Sequence, residues 1–429
     1  MDNKRVLNNA AWIIGCRIVQ AILGVVVTML SARFLGPSGY GIINYAASIV
    51  VFVVPLMQLG LNSTLVQEFV KMPEKEGEIL GTSMLMSLVS GIFCIVGVIA
   101  FSGIANNGEP VTIAVCSLYS IQLVFQSAEI IQCWFQAKLL SKYTSVAVLI
   151  AYAVMSAYKI VLLITGSSIY WFAVAQALDY CVIAIILLVI YSKVGTAKLS
   201  FSWKLFKQLF SKSKYYIVSS MMVTIFAQTD RIMLKLMIDE AAVGYYSAAI
   251  TCAGMTAFVF AAIIDSTRPV IFENALKGTA VFEKSVSTLY CVIIYFALLQ
   301  SVVIALFAKF IIGILYGADY LPAVSALRIV VWYTTFSYLG SIRNIWILSE
   351  GKQKYLWSIN LLGAVSNVLL NVVLIPVMGV NGAALASLVT QIFTNVIVGF
   401  LLKPIRRNNI VMLKGLDLRL LKEFIKKRI

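Results

Sequence analysis

Twelve apolar segments, each of membrane-spanning length, constrain what this chain of 429 residues can fold into. The hydrocarbon core of a bilayer is about 30 Å thick, so a helix needs about 20 apolar residues to cross it. The segments predict spans at residues 9–31, 41–62, 79–101, 111–133, 144–165, 169–191, 215–238, 244–267, 287–308, 323–348, 355–377 and 382–403. The sequence therefore predicts an all-α integral membrane protein with about 12 transmembrane helices.

Positive charge is concentrated on one side of these spans. If the N-terminus lies on that side, the segments there hold 26 of the 34 Lys and Arg residues. The opposite side holds only Arg33 and Lys309, and the other 6 lie inside spans. The positive-inside rule then predicts that both termini and the long loops are cytoplasmic. The first apolar segment is too long for a signal-peptide core, so we expect a retained first helix in a bacterial plasma (inner) membrane protein.

Composition excludes several classes of protein. Hydrophobic residues make up 61% of the chain, above the roughly 45–50% that is usual in soluble domains. The net charge of +16 lies beside span ends, where it attracts anionic membrane lipid rather than nucleic acid. The chain has no histidine, and its 7 cysteines lie in spans without a C-x-x-C pair. We therefore expect no metal site, no cofactor and no catalysis by histidine.

The cytoplasmic segment 192–214 divides the spans into two groups of six. This organisation predicts an N-terminal six-helix lobe at 1–200, a C-terminal six-helix lobe at 201–403 and a basic amphipathic cytoplasmic tail at 404–429. Within the linker 198–214, five apolar side chains share one helical face flanked by lysines, a pattern typical of a helix in the membrane interface. These side chains are Phe201, Leu205, Phe206, Leu209 and Phe210.

Polar residues inside the spans form stripes, which indicate a hydrated cavity. A charge at the centre of a bilayer costs on the order of 2.5–3.5 kcal/mol, so such residues face a bundle interior or water. Stripes at helical spacing run along span 1 (Arg17, Gln20, Gly24, Thr28, Ser31), span 4 (Gln122, Gln126, Glu129, Cys133, Gln136), span 5 (Tyr152, Ser156, Lys159) and span 11 (Asn360, Asn367, Asn371). Span 7 adds Gln228, Asp230, Arg231 and Lys235.

The candidates for lining a substrate cavity follow from these stripes and from two further arginines. They are Arg17, Gln20, Gln122, Gln126, Glu129, Gln136, Lys159, Asp230, Arg231, Lys235, Arg328 and Arg343. Two alternatives remain open at this point. Polar side chains also join helices to one another, above all in the asparagine stripe of span 11. Lys235 and Arg343 lie near span ends, where long side chains can reach the interface instead.

The charge balance within the spans suggests an anionic amphiphile as substrate. No Walker sequence is present, so ATP is not the direct source of energy, and an inside-negative potential assists an anion that moves outward. A membrane-bound glycosyltransferase, ligase or polymerase is the alternative class. Such an enzyme needs a loop or domain that holds acids and bases over its substrate. The longest outer loop, 309–322, has Asp319 as its only carboxylate.

Several stretches resemble a known family. Asn9, Trp12 and Arg17 precede ARFLGPSGYGIINYA (32–46) and PLMQLGL (55–61). Further on come CWFQAKLLSKYTSVAV (133–148), TDRIMLKLM (229–237), LYGADYLPAVSALRI (315–329) and LIPVMGVNGAALASLVTQ (374–391). In order and spacing these resemble the Wzx-type polysaccharide-unit flippases, which export O-antigen and capsule units. That family belongs to the multidrug/oligosaccharidyl-lipid/polysaccharide (MOP) exporter superfamily.

The resemblance implies a V-shaped pair of six-helix lobes that works by alternating access. The implied substrate is an undecaprenyl-pyrophosphate-linked oligosaccharide, moved from the cytoplasmic to the outer leaflet, with a polysaccharide polymerase and a chain-length regulator as partners. It also implies a cationic cavity, and Arg17, Arg231 and Arg328 fall in the recurring motifs. The multidrug and cation antiporters of the same superfamily share the architecture and are the closest alternative. Their cargo is mostly cationic, whereas positive residues outnumber negative ones in these spans.

Overall fold

The regular structure of the chain is helical throughout its described part. The structure, a computed structural model, describes residues 3–195 and 197–421, with side chains from residue 23 onward. The helices group into two compact units, and the division along the chain falls within one long helix, between Gln228 and Thr229. We call the residues up to Gln228 unit 1 and those from Thr229 onward unit 2.

Unit 1 contains eight complete α-helices and most of a ninth. These are α1 (Asn3–Met57), α2 (Leu65–Lys71), α3 (Glu76–Ala105), α4 (Pro110–Ser120), α5 (Gln122–Gln126), α6 (Ile131–Ala137), α7 (Ser141–Ile164), α8 (Ile169–Val194) and α9 (Trp203–Met237), with 3-10 turns at Leu61–Ser63, Pro73–Lys75 and Ser127–Ile130.

Unit 2 contains the end of α9 and the remaining helices. They are α10 (Glu240–Gly254), α11 (Ala257–Leu276), α12 (Thr279–Leu315), α13 (Ala323–Ser349), α14 (Lys354–Met378), α15 (Val380–Ile392), α16 (Val398–Leu401) and α17 (Arg406–Lys414). A π-helical turn at Phe393–Ile397 joins α15 to α16, and 3-10 turns lie at Ala318–Tyr320 and Lys403–Ile405.

Eight helices of the described chain are long and apolar enough to cross a membrane, and a ninth span results if the bent pair α10–α11 is counted as one. The prediction of an all-α, multi-pass membrane protein is therefore confirmed. Predicted spans 1 and 2 are joined within α1, while α9 and α13 are less apolar because charged and hydroxyl side chains interrupt them. The number of twelve spans and the cytoplasmic termini stay predictions.

The joined helix α1 is interrupted at Gly36, which has a φ of 67° and precedes Pro37. A residue before proline is disfavoured in the helical conformation, and glycine adopts positive φ without steric cost. These two local preferences break α1 between predicted spans 1 and 2, and leave one arm on each side of Gly36.

The start of α9 packs into the core of unit 1. Leu205 and Leu209 are buried among residues of α2, α3 and α6, while Trp203 and Phe210 on the same helix are exposed. Lys212 Nζ lies 2.8 and 2.9 Å from the two carboxylate oxygens of Glu68, whose side chain is buried. The apolar face predicted within 198–214 is thus partly covered by protein, and its interfacial position stays a prediction.

The core of unit 2 is built around α12 and α13, with Tyr290, Ile342 and Trp346 fully buried or nearly so. Helix α17 packs against α12, because Tyr290 OH donates to Asn408 Oδ1 at 3.0 Å and Val411 joins the apolar core. The predicted amphipathic tail begins with this helix, and its residues 422–429 lie outside the described chain.

Candidate functional site

A cavity of about 160 Å³ lies within unit 1, between the two arms of α1 and helices α4, α7 and α8. Thr28 and Ser31 line it from the first arm of α1, and Asn44 lines it from the second arm. Lys159 of α7 and Gln176 of α8 complete the polar part of the wall, apart from tyrosine hydroxyls. The polar stripes of spans 1 and 5 therefore meet at one cavity.

Helices α1 and α7, which carry these two stripes, also pack closely against each other beside the cavity. A Cβ atom placed on Gly24 would lie 2.5 Å from Tyr152 OH, so α1 and α7 approach each other at this glycine. Further along, Ser31 is buried, and its Oγ has no hydrogen-bond partner among the described residues. A buried hydroxyl without a partner usually costs about 1–3 kcal/mol. Ser31 is thus a residue of the cavity wall whose buried hydroxyl has no hydrogen-bond partner among the described residues.

Among the described residues that line this cavity, Lys159 carries the charge. It interacts electrostatically with Asp179 of α8, and Asp179 Oδ1 is buried with no hydrogen-bond partner in the described chain. Three aromatic side chains, Tyr40, Tyr119 and Phe172, line the same space. The cavity therefore combines hydroxyls, carboxamides and aromatic rings with one ammonium group whose charge Asp179 partly balances.

The stripe predicted along span 4 is not continuous, because a 3-10 turn at Ser127–Ile130 interrupts the α-helix. Four residues at three per turn instead of 3.6 rotate the following helix by roughly 80°. Gln122 and Gln126 are buried, with Oε1 atoms that have no partner within the described residues, whereas Gln136 is exposed. Glu129 accepts a hydrogen bond from Gln132 Nε2 at 3.3 Å. The structure therefore does not bring these four candidates together on one face.

Asp230 is the centre of a buried polar network within unit 2. Its Oδ1 accepts from Asn371 Nδ2 at 2.6 Å and from Asn367 Nδ2 at 3.1 Å. Its Oδ2 accepts from Tyr246 OH and Ser387 Oγ. All five side chains are buried. From the sequence, the asparagines of span 11 could either join helices or line a cavity. In the structure, Asn367 and Asn371 belong to a network that joins α9, α10, α14 and α15.

The other candidates of unit 2 each contact other protein groups. Arg231 Nε donates to Ser247 Oγ at 3.1 Å, and Lys235 Nζ pairs with Glu240 at 2.9 Å. Arg343 is buried against the π-helical turn, where its guanidinium donates to Thr394 O and Asn395 Oδ1 at 2.8 Å each. Arg328 is exposed and donates to Ala305 O at 3.3 Å. Arg17 and Gln20 lie in α1 before the first described side chain.

Sequence reasoning missed several polar residues of the cavity wall. Asn44 and Gln176 belong to none of the predicted stripes, although each has one further polar residue a helical turn later, Ser48 and Asp179 respectively. A carboxamide in a spanning segment is itself a signal, because it must find a partner away from lipid. Tyr119 gives no such signal, since tyrosine is common in spans and at their ends.

Comparison with protein families gives one match. A family model described as "Polysaccharide biosynthesis protein" matches residues 6–275, which include all the residues named above as lining the cavity. An uncharacterized membrane protein of Methanocaldococcus jannaschii is 26% identical over 228 residues, 50% of this chain. The chain spans only 45% of the length of that relative.

Solved transporters have the same fold. The Lipid II flippase MurJ in its inward closed conformation matches with a TM-score of 0.73 and 15% identity, over 96% of this chain and 92% of that one. An inward-facing multidrug resistance transporter of the MATE family and MOP superfamily matches with a TM-score of 0.65 and 14% identity, over 92% and 96%. At such identities the likeness concerns the fold alone, and it confirms the predicted MOP-type architecture.

Proposed function

The chain belongs to the polysaccharide biosynthesis protein family, and from that premise we propose that it is a flippase for lipid-linked oligosaccharides. In this proposal it moves undecaprenyl-pyrophosphate-linked repeat units from the cytoplasmic to the outer leaflet of a bacterial plasma membrane, by alternating access. The units then serve the synthesis of a surface polysaccharide such as O-antigen, capsule or exopolysaccharide. The chain makes and breaks no bond in this process.

The observation that supports the proposal most directly is the cavity of unit 1. It lies in the part of the chain that the family model matches, and Thr28, Ser31 and Lys159 line it from spans that would otherwise face lipid or packed helices. Polar groups inside a membrane are costly and mark paths for polar substrates. The fold is also that of a flippase whose substrate, Lipid II, is lipid-linked.

Arg17 is the residue that we propose to contact the pyrophosphate. It lies on the same face of α1 as Ser31 by helical spacing, and a guanidinium group can donate two parallel hydrogen bonds to phosphate oxygens, which the ammonium group of Lys159 cannot. We further propose that both termini are cytoplasmic, so that Arg17 lies toward the side where the substrate is made. Reporter fusions at Asn107 and Lys207 test this topology, with an outside and an inside signal expected. The same signal at both sites contradicts it.

The energy for outward movement is proposed to come in part from the membrane potential. A negative charge that moves outward across a membrane with an inside-negative potential moves down the electrical gradient, which favours it by about 2.3 kcal/mol per charge per 100 mV. The basic loops attract anionic lipid on the cytoplasmic side. A polysaccharide polymerase and a chain-length regulator are the partners that would use the product in the outer leaflet.

A drug or cation antiporter is the second candidate function, because multidrug transporters of the MATE family share the fold. Such a protein would bind mostly cationic cargo and would need acidic groups free to receive it. In unit 2 the carboxylate of Asp230 is instead surrounded by four donors of the protein, and Lys235 is paired with Glu240.

Deletion of the chain in its host tests the function. We expect complete lipid-linked repeat units to accumulate on the cytoplasmic leaflet, with surface polysaccharide lost. A glycosyltransferase mutant would accumulate shorter units, and a polymerase mutant would display single units outside. A drug-pump mutant would keep its polysaccharide and lose resistance to cationic dyes. Complete single units on the outer leaflet of a deletion strain without a redundant flippase would refute the proposal.

A matched pair of variants tests the cavity itself. Lys159→Gln removes the ammonium that lines the cavity, whereas Lys309→Gln removes an exposed lysine elsewhere. We expect the first to lower surface polysaccharide several-fold at equal protein level and the second to leave it unchanged. Equal activity of both variants would remove the cavity from the transport path.

A further inference from the structure

We propose that the cavity of unit 1 is a subsite for a single sugar ring of the lipid-linked unit, an inference that rests on the proposed function. The sugar ring, and not the pyrophosphate, is the group that fits its size, its lining and its charge.

The size of the cavity limits it to one small group. Its 160 Å³ corresponds to about five water molecules at about 30 Å³ each, on the order of the volume of one pyranose ring. Pockets that enclose a whole drug-sized ligand measure about 300–1,000 Å³. One ring therefore fills this space, and the remaining sugars of a repeat unit would lie outside it.

The lining is chemically complementary to a sugar ring. A pyranose ring presents apolar C–H faces and a rim of hydroxyls that both donate and accept hydrogen bonds. The cavity offers aromatic rings from Tyr40, Tyr119 and Phe172, together with the hydroxyls and carboxamides of its polar wall. The Nδ2 of Asn44 already donates to Tyr40 O at 2.8 Å, which fixes the orientation of that carboxamide. Such groups recognise neutral hydroxyls by direction rather than by charge.

The charge of the cavity disfavours pyrophosphate. Among the described residues that line it, Lys159 alone carries a positive charge, and Asp179 partly balances it. A doubly charged diphosphate would need several cations or bidentate guanidinium groups. Arg17 could supply one, but it precedes Thr28 by 11 residues of helix, or roughly 16 Å along α1. The sugar subsite and the proposed phosphate contact are therefore separate places on one helix face.

Ser31 supplies an independent observation. It lines the cavity, and its hydroxyl is buried with no hydrogen-bond partner in the described chain. A turn of the Ser31 side chain to another χ1 rotamer would bring this hydroxyl to a bound sugar, whose own hydroxyl would provide the missing partner.

This property makes Ser31→Ala a test without a folding penalty, since the change removes no hydrogen bond seen in the structure. The matched control is Ser83→Ala in α3. Ser83 is also buried, its Oγ is also without a described partner, and it does not line the cavity. A second variant, Ala47→Leu, places three more carbon atoms into the cavity from the second arm of α1.

The probe is the oligosaccharide that mild acid releases from the host's own lipid-linked unit, added to the purified full chain in lipid nanodiscs. Binding is read as a rise in the thermal unfolding midpoint with probe concentration. We expect wild type and Ser83→Ala to bind equally, Ser31→Ala to bind about 2- to 12-fold more weakly, and Ala47→Leu to lose binding. Inorganic pyrophosphate, as a second probe, should bind all four proteins alike.

The proposal is overturned if the oligosaccharide fails to bind wild type, or if it binds Ser31→Ala and Ala47→Leu as tightly as wild type. Loss of pyrophosphate binding instead of oligosaccharide binding in both variants would overturn it as well. A separate flipping assay on wild type reads the proposed function. Flipping without sugar binding refutes the subsite alone, whereas sugar binding without flipping refutes the function and leaves the subsite in place.

Discussion

Replacing Asp230 by alanine should destabilise unit 2, because the change removes the acceptor of four hydrogen bonds at once. Two carboxamides, of Asn367 and Asn371, donate to one carboxylate oxygen, and two hydroxyls, of Tyr246 and Ser387, donate to the other. All these side chains are buried, so water cannot replace the lost acceptor.

The magnitude follows from the number of bonds. Hydrogen bonds between membrane helices contribute about 0.6 kcal/mol on average and up to about 1.7 kcal/mol. Four of them give a loss in the free energy of unfolding between about 2 and 7 kcal/mol. The lower part of this range applies because partners remain: Asn371 Nδ2 also lies 3.2 Å from Asn367 Oδ1, and the hydroxyls of Tyr246 and Ser387 lie 3.3 Å apart.

Asp230→Asn should be much milder. The variant keeps the oxygen that receives both carboxamides, while its NH₂ group faces the hydroxyls of Tyr246 and Ser387. Hydroxyls rotate and accept as well as they donate, so both can turn to accept from the new amide. We expect a loss of about 1 kcal/mol. Asp265→Ala is the matched control, because Asp265 pairs with Arg268 at 2.9 Å on an exposed face of the same unit. Such a pair contributes about 0–1 kcal/mol.

The free energy of unfolding of the purified variants in detergent, measured by denaturant titration, provides the readout. The expected order of loss is Asp230→Ala, then Asp230→Asn, then Asp265→Ala. Equal stability of Asp230→Ala and Asp265→Ala would refute the network as a source of stability. Equal damage from alanine and asparagine would show that the negative charge of Asp230, and not its acceptor geometry, is what matters.

Two further predictions concern unit 1. Gly24→Ala should lower the thermal midpoint, because its Cβ would lie 2.5 Å from Tyr152 OH, and Tyr152→Phe in the same chain should restore most of the loss. Gly97→Ala, where no atom lies within 4 Å of the added Cβ, should be neutral, and equal effects of both alanines would contradict the close approach. Lys212→Ala should destabilise by about 1–3 kcal/mol, because it leaves the buried carboxylate of Glu68 with a single weak partner. Glu68→Gln should destabilise less than Lys212→Ala, because the half-exposed ammonium of Lys212 can turn to water. A lower thermal midpoint for Glu68→Gln than for Lys212→Ala would contradict this expectation.

The sequence alone determined the class of the protein and part of its site. Apolar length predicts membrane spans because lipid excludes polar backbone and side chains over a fixed thickness. Helical spacing was enough to put Thr28 and Ser31 on one face of span 1, and Lys159 on a polar face of span 5. The structure brings these two faces to one cavity. Both inferences depend on local geometry, which a regular helix preserves.

Tertiary structure decided what regular spacing could not. The 3-10 turn at Ser127–Ile130 changes the direction of the side chains that follow it, so Gln126 is buried while Gln136 is exposed. The partners of Asp230 come from three other helices, as far as 157 residues along the chain at Ser387. Such contacts depend on how helices pack side by side and in which register. A sequence pattern identifies a polar residue that needs partners, but the packing of the folded chain selects which partners it receives.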